Sequence, residues 1–145
     1  MDYKIRIILL LYYLSLISVL ILYLFPGSLI GYFVYGSFAR QPDLIPNPLG
    51  TSINHALTFF VLSILGLISY SKNKNFNINL VFLIVLSLLL EISHIVIPNR
   101  SFEYLDLFAN LLGTGLAIVI IFFYKSLNFS YFIIIIFRII TSSNS

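Results

Sequence analysis

The sequence predicts an all-α protein, an integral membrane four-helix bundle with an interfacial segment after the first span and an apolar C-terminal tail. Of its 145 residues 60% are hydrophobic and 9% charged, whereas a soluble domain carries about 25% charged residues and a core of this size cannot hide so much apolar surface. The apolar residues also gather in four runs long enough to cross the hydrocarbon layer. The breaks between the runs are polar, charged or proline-bearing. This length gives room for one bundle of short-looped spans over 1–145, and none for an additional folded domain.

The first run, Ile7 to Phe25, reaches roughly 28 Å at 1.5 Å per residue, close to the membrane's apolar thickness. Lys4 and Arg6 precede it and Pro26-Gly27 follows where a leader peptide would carry a small-residue cleavage site, so it is expected to be a retained span. From Gly27 to Gly50 the prolines Pro42, Pro46 and Pro48, with Arg40 and Asp43, mark a loop. Within it Leu29 to Ala39 is apolar and rich in Tyr and Phe, too short to cross but suited to the headgroup region. The second span covers 53–70 and ends at the basic loop Ser71-Lys72-Asn73-Lys74-Asn75. The third covers 78–97 and stops at Pro98, whose missing N–H cannot continue the helix. A fourth span, 105–124, ends at Lys125, and the 128–145 tail holds an apolar stretch interrupted by Arg138.

Lys4, Arg6, Lys72, Lys74, Lys125 and Arg138 fall on one side of this arrangement, against Arg40 and Arg100 on the other. Basic loops stay cytoplasmic, so both termini are expected inside. The formal charge of +3 is explained by this anchoring, and no nucleic-acid partner is expected. The absence of cysteine excludes disulfides, thiolate metal sites and cysteine nucleophiles.

Several polar residues sit where lipid would penalise them. Glu91 and His94 lie three apart in the third run, on one helical face with Ser87. An ionised carboxylate at mid-membrane costs about 2.5–3.5 kcal/mol, so such groups face partners. Asp106, Asn110, Gly113 and Ala117 recur at helical spacing in the fourth span as a polar and small stripe, a natural mate for the Glu91 face. Asn54, His55 and Thr58 lie at the matching end of the second span and complete a polar pocket. One reading is structural: these groups hydrogen-bond helices together while Arg100 neutralises Glu91, Glu103 or Asp106. The other is a pocket for a polar ligand, a proton or a catalytic step, with carboxylate, imidazole and arginine as base, acid and anion clamp. No nucleophile motif is present. HExxH is absent and Glu91, His94 and His55 make a thin ligand set, so neither a metal nor another cofactor is expected.

The succession Glu91-Ile-Ser-His94, Pro98-Asn-Arg100 and Asp106-Leu-Phe-Ala-Asn110-Leu-Leu-Gly113 resembles the VanZ-like family. That family carries a glutamate and a glutamine three apart near the end of a span. A proline-containing turn with arginine follows, then an aspartate, an asparagine four later and a glycine three after that. Here His94 replaces the glutamine. Asn54-His55-Ala-Leu-Thr58-Phe59 resembles the family's Asp-Lys-x-x-His-Phe signature, with only Phe59 identical. The likeness is strongest over 54–117. It implies a bacterial cytoplasmic-membrane protein of a family whose founding members are associated with resistance to teicoplanin-type glycopeptides. The acyltransferase label attached to some members finds no supporting residue here.

The expected function is therefore non-enzymatic: an outward pocket of Glu91, His94, Arg100, Asp106, Asn110 and His55, recognising a polar envelope ligand such as a glycopeptide or cell-wall intermediate. Ser87, Gly113 and Ala117 serve helix packing, and membrane lipids are the surrounding partners. An outer-leaflet enzyme using Glu91 and Asp106 as acid and base, or a structural subunit of a membrane complex, are the alternatives.

Overall fold

The computed structural model describes residues 3–42 and 50–142, with side chains as far as Leu127. Its five helices are α1 (Tyr3–Leu24), α2 (Leu29–Tyr35), α3 (Ser52–Ser69), α4 (Phe76–Ser93) and α5 (Tyr104–Ser142), and the described residues contain no strand. Four of them, α1, α3, α4 and α5, are long and apolar enough to cross a membrane. The protein is a multi-pass, four-helix membrane bundle. Residues 43–49, expected as loop, lie outside the described set, as do the side chain of Arg138 and the end of the tail from residue 143.

Sequence chemistry sets each boundary. Pro26 and Gly27, the latter at φ 95°, stop α1. Ser28 then caps α2, its hydroxyl accepting the Gly31 N–H at 2.9 Å, and Gly36 closes that short helix in the left-handed region at φ 67°. Thus the aromatic stretch after the first span forms seven helical residues with Phe33 thrust outward. α4 ends at Ser93, four residues before the expected stop. His94, Ile95 and Val96 instead donate to carbonyls three residues back, because Ile97 precedes proline and is held away from helical geometry. Asn99 takes the left-handed turn position at φ 58°, which its short polar side chain tolerates. α5 differs most from expectation. Nothing between Lys125 and Ser142 breaks a helix, so the backbone of the tail continues α5 as one helix of 39 residues.

α3 is the hub. It packs most extensively on α5 and also meets α1 and α4, and its span is the most enclosed of the four. The core runs from Tyr12 through Phe59, Leu62, Leu67, Leu83 and Leu90 to Ala117. α1 is apolar on every side and buries only Tyr12, Val19 and Tyr23, a narrow seam at positions seven and four apart. Leu10, Ile17, Ile21, Leu89 and Val119 point outward and form the coat that lipid covers.

One end of the bundle is closed by aromatic and amide groups: Tyr12 Oη donates to Asn79 Oδ1 at 2.8 Å, and Tyr12 crowds Gly66. Lys125 Nζ rests 3.3 Å above the Phe76 ring at the start of α4, so this part of α5 shares an end with the Lys72–Lys74 turn. The opposite end, where α1 and α4 finish and α3 and α5 begin, collects the polar residues.

Candidate polar site at one end of the bundle

Three helix ends deliver the site. His55 stands in the first turn of α3, Glu91 in the last turn of α4 and Asp106 in the first turn of α5. Glu91 and Asn110 are 0% exposed, His94 3%, His55 5% and Asp106 6%. Buried polar atoms require partners, and nearly all have them.

Glu91 Oε1 accepts the Glu103 backbone N–H at 3.1 Å and lies 3.3 Å from His94 Nδ1. The other ring nitrogen of His94 is 3.2 Å from the Tyr23 carbonyl, so the imidazole connects the end of α4 to α1. Asp106 Oδ1 accepts the Ser52 hydroxyl at 2.5 Å, and its place in the first turn of α5 suits a negative charge. His55 Nδ1 lies 3.1 Å from the Thr51 carbonyl, an acceptor, which assigns the hydrogen to Nδ1. His55 Nε2 then faces Asp106 Oδ2 at 3.7 Å and Glu91 Oε2 at 3.9 Å. Glu91 Oε2 itself is fully buried without a hydrogen-bond partner.

Tyr23 of α1 ties this cluster together. Its ring stacks on His94 at 5.7 Å and meets His55 edge-on at 5.2 Å, while its hydroxyl donates to Asn110 Oδ1 at 3.0 Å. Asn110 Nδ2 in turn donates to the Ser87 carbonyl at 3.4 Å, so one amide links α1, α4 and α5.

Arg100 departs from the expected carboxylate pairing. Its guanidinium donates to the carbonyls of Leu22 and Phe25 and to Gln41 Oε1, at 2.5, 3.4 and 3.2 Å. The reason is positional: α1 ends beside the turn after α4, and its last carbonyls lack intrahelical partners. Burial pushes the guanidinium below its ordinary value, with Tyr23 and Glu91 acting in the opposite sense, and arginine remains charged throughout the physiological range.

The packing residues are also redistributed. Gly113 lies against α3, where an added Cβ would collide with the Ala56 carbonyl and the Phe60 amide, rather than against the Glu91 face of α4. Thr114 and Ser63 continue that seam with a hydroxyl pair at 3.4 Å, and Ala117 is wholly buried. The Ser87 hydroxyl turns back to the Ile84 carbonyl, leaving its own carbonyl to meet Asn110. Asn54 donates to the Pro42 carbonyl at 3.0 Å, and Thr58 lines a small cavity of about 70 Å³ beside Tyr23 and Arg100.

A larger cavity of about 230 Å³ adjoins the cluster, with His55, His94, Arg100, Ser101, Glu103 and Asp106 among its walls. The structure therefore brings together His55, Glu91, His94, Asp106 and Asn110, with Arg100 at the rim. Tyr23, Ser52 and the Glu103 amide escaped the sequence reading. Ser52 precedes a helical apolar run and so carried a detectable start signal, whereas Tyr23 was indistinguishable from the other tyrosines of its span.

Comparison with family models, with curated proteins and with solved structures finds no match to this chain.

Proposed function

We propose that this is a non-enzymatic protein of the bacterial cytoplasmic membrane, of VanZ-like type, whose cavity opens to the outer face and recognises a polar envelope ligand. The observation that carries the reading is the cavity of about 230 Å³ walled by both donors and acceptors at one end of an otherwise apolar bundle. Glycopeptides and lipid-linked cell-wall intermediates present amide, sugar and charged groups to that leaflet, and Arg100, Ser101 and Glu103 are placed to meet them. Contribution to teicoplanin-type glycopeptide resistance or to envelope homeostasis follows. The outward orientation is supported by Lys72, Lys74 and Lys125 at the opposite end, with both termini inside.

Two measurements test this. In intact cells an impermeant thiol reagent should label Ser101→Cys, and should reach Asn73→Cys only after permeabilisation; the reverse pattern overturns the orientation. Full-length protein in lipid nanodiscs should retain a lipid-linked cell-wall precursor in native mass spectrometry, and Glu103→Gln and Ser101→Ala should weaken retention together with any teicoplanin tolerance in a sensitive host. No retention and no change in tolerance would remove the ligand-recognition reading, and conversion of the precursor to product would replace it with the enzymatic one.

A further inference from the structure

His55, Glu91 and Asp106 come from three different helices, and one ligand atom of each lies within 4.8 Å of the other two. With the His55 hydrogen on Nδ1, its Nε2 offers a lone pair beside the two carboxylates. Their separations of 3.7 and 3.9 Å from the imidazole exceed hydrogen-bond length, so no direct proton bridge joins them in this arrangement. Nitrogen and oxygen ligands bound to one tetrahedral zinc at 2.0–2.2 Å stand about 3.3–3.6 Å apart, so separations of 3.7 and 3.9 Å need close by only a few tenths of an ångström.

The second atom of each group is already held. Thr51's carbonyl fixes the His55 tautomer, Ser52 holds Asp106 Oδ1, and the Glu103 amide with His94 holds Glu91 Oε1. This is the outer shell that orients metal ligands. Glu91 Oε2, buried and partnerless, is the independent sign that something is to be bound.

We propose that His55, Glu91 and Asp106 form a site for a divalent first-row transition metal of the zinc class, with the remaining coordination position open to the adjoining cavity. Imidazole nitrogen selects this class over magnesium and calcium, which take all-oxygen ligation. The two carboxylates match a double positive charge. His55 and Asp106 also line the cavity, which provides an entry path and room for a water or ligand oxygen. The residues stand 36 and 15 positions apart, so no linear motif could reveal them, and the site reverses the expectation from spacing alone.

Resting on the same cavity, the metal deepens the recognition reading by supplying a seat for an oxygen of the envelope ligand. The test uses untagged full-length protein in lipid nanodiscs, stripped with chelator and dialysed against low-micromolar Zn²⁺. One zinc per chain should remain. His55→Gln, Glu91→Gln and Asp106→Asn should each weaken it by more than about 100-fold, and Ser52→Ala by about 10–100-fold, the range for an outer-shell partner. Circular dichroism reports whether each variant folds. Where a ligand variant does not fold, Co²⁺ loaded into wild type should give the visible absorption of a low-symmetry nitrogen–oxygen site. Folded wild type that retains no zinc and shows no cobalt bands overturns the site, as does undiminished binding in folded ligand variants. Zinc without precursor binding removes only the recognition reading, and precursor binding without zinc removes only the metal.

Discussion

Arg100 answers the loose carbonyls at and just beyond the end of α1 with a planar fork, reaching Leu22 and Phe25 at once, and a lysine ammonium cannot cover both from one position. Arg100→Lys should therefore lower stability by about 1.5–3 kcal/mol, the range for hydrogen bonds to a charged group, and Arg100→Ala by at least as much. Arg40→Ala, at an exposed site, should stay within about 0.5 kcal/mol. Reversible denaturation in mixed micelles measures all three, and equal stabilities would show that the α1 contact contributes nothing. At this scale the sequence was informative where a residue type was misplaced. Glu91, His94, Asp106 and Asn110 stood out because ionisable and amide groups in apolar runs must find partners. What those partners were stayed hidden, since the Leu22, Thr51 and Tyr23 carbonyls belong to every residue alike and side-chain identity does not mark them.

Among the helices, the small-residue stripe of α5 shows what periodicity leaves open. Spacing fixes that Asp106, Asn110, Gly113 and Ala117 share a face, but a face of that width touches two neighbours in a bundle, and α3 takes the glycine while α4 receives the asparagine. Gly113→Ala must push backbone against backbone and should cost about 1–3 kcal/mol. Gly115, two positions on, meets nothing within 4 Å, so Gly115→Ala should be neutral or slightly stabilising through helix propensity. If thermal denaturation ranks the two substitutions equally, the close α3–α5 approach is wrong. The span boundaries were legible to within a few residues because prolines and basic turns announce them. The length of α5 was not, as hydrophobicity separates lipid-crossing from overhanging segments while helix formation depends on breakers, and Lys125 is no breaker.

For the molecule as a whole, four apolar helices and their order were legible from hydropathy alone, whereas the convergence of three helix ends on one histidine was a matter of tertiary assembly. That convergence has a consequence in time. A chain emerging from the ribosome delivers His55 before Glu91, but the Glu103 amide and Asp106 come later, so α4 enters the translocon with its carboxylate lacking half of its eventual surroundings. Until α5 docks, the three-helix nascent chain displays a polar blemish to lipid, the kind of mark that membrane quality-control proteases recognise. A chain stopped after Ser101 should be cleared quickly in pulse-chase, and Glu91→Leu in that same truncated chain should lengthen its life. Equal lifetimes would mean that the unfinished bundle hides Glu91 by other means. In the complete protein the start of α5 brings the Glu103 amide and Asp106 to the buried Glu91, so the last segment to be made is the one that closes around its carboxylate.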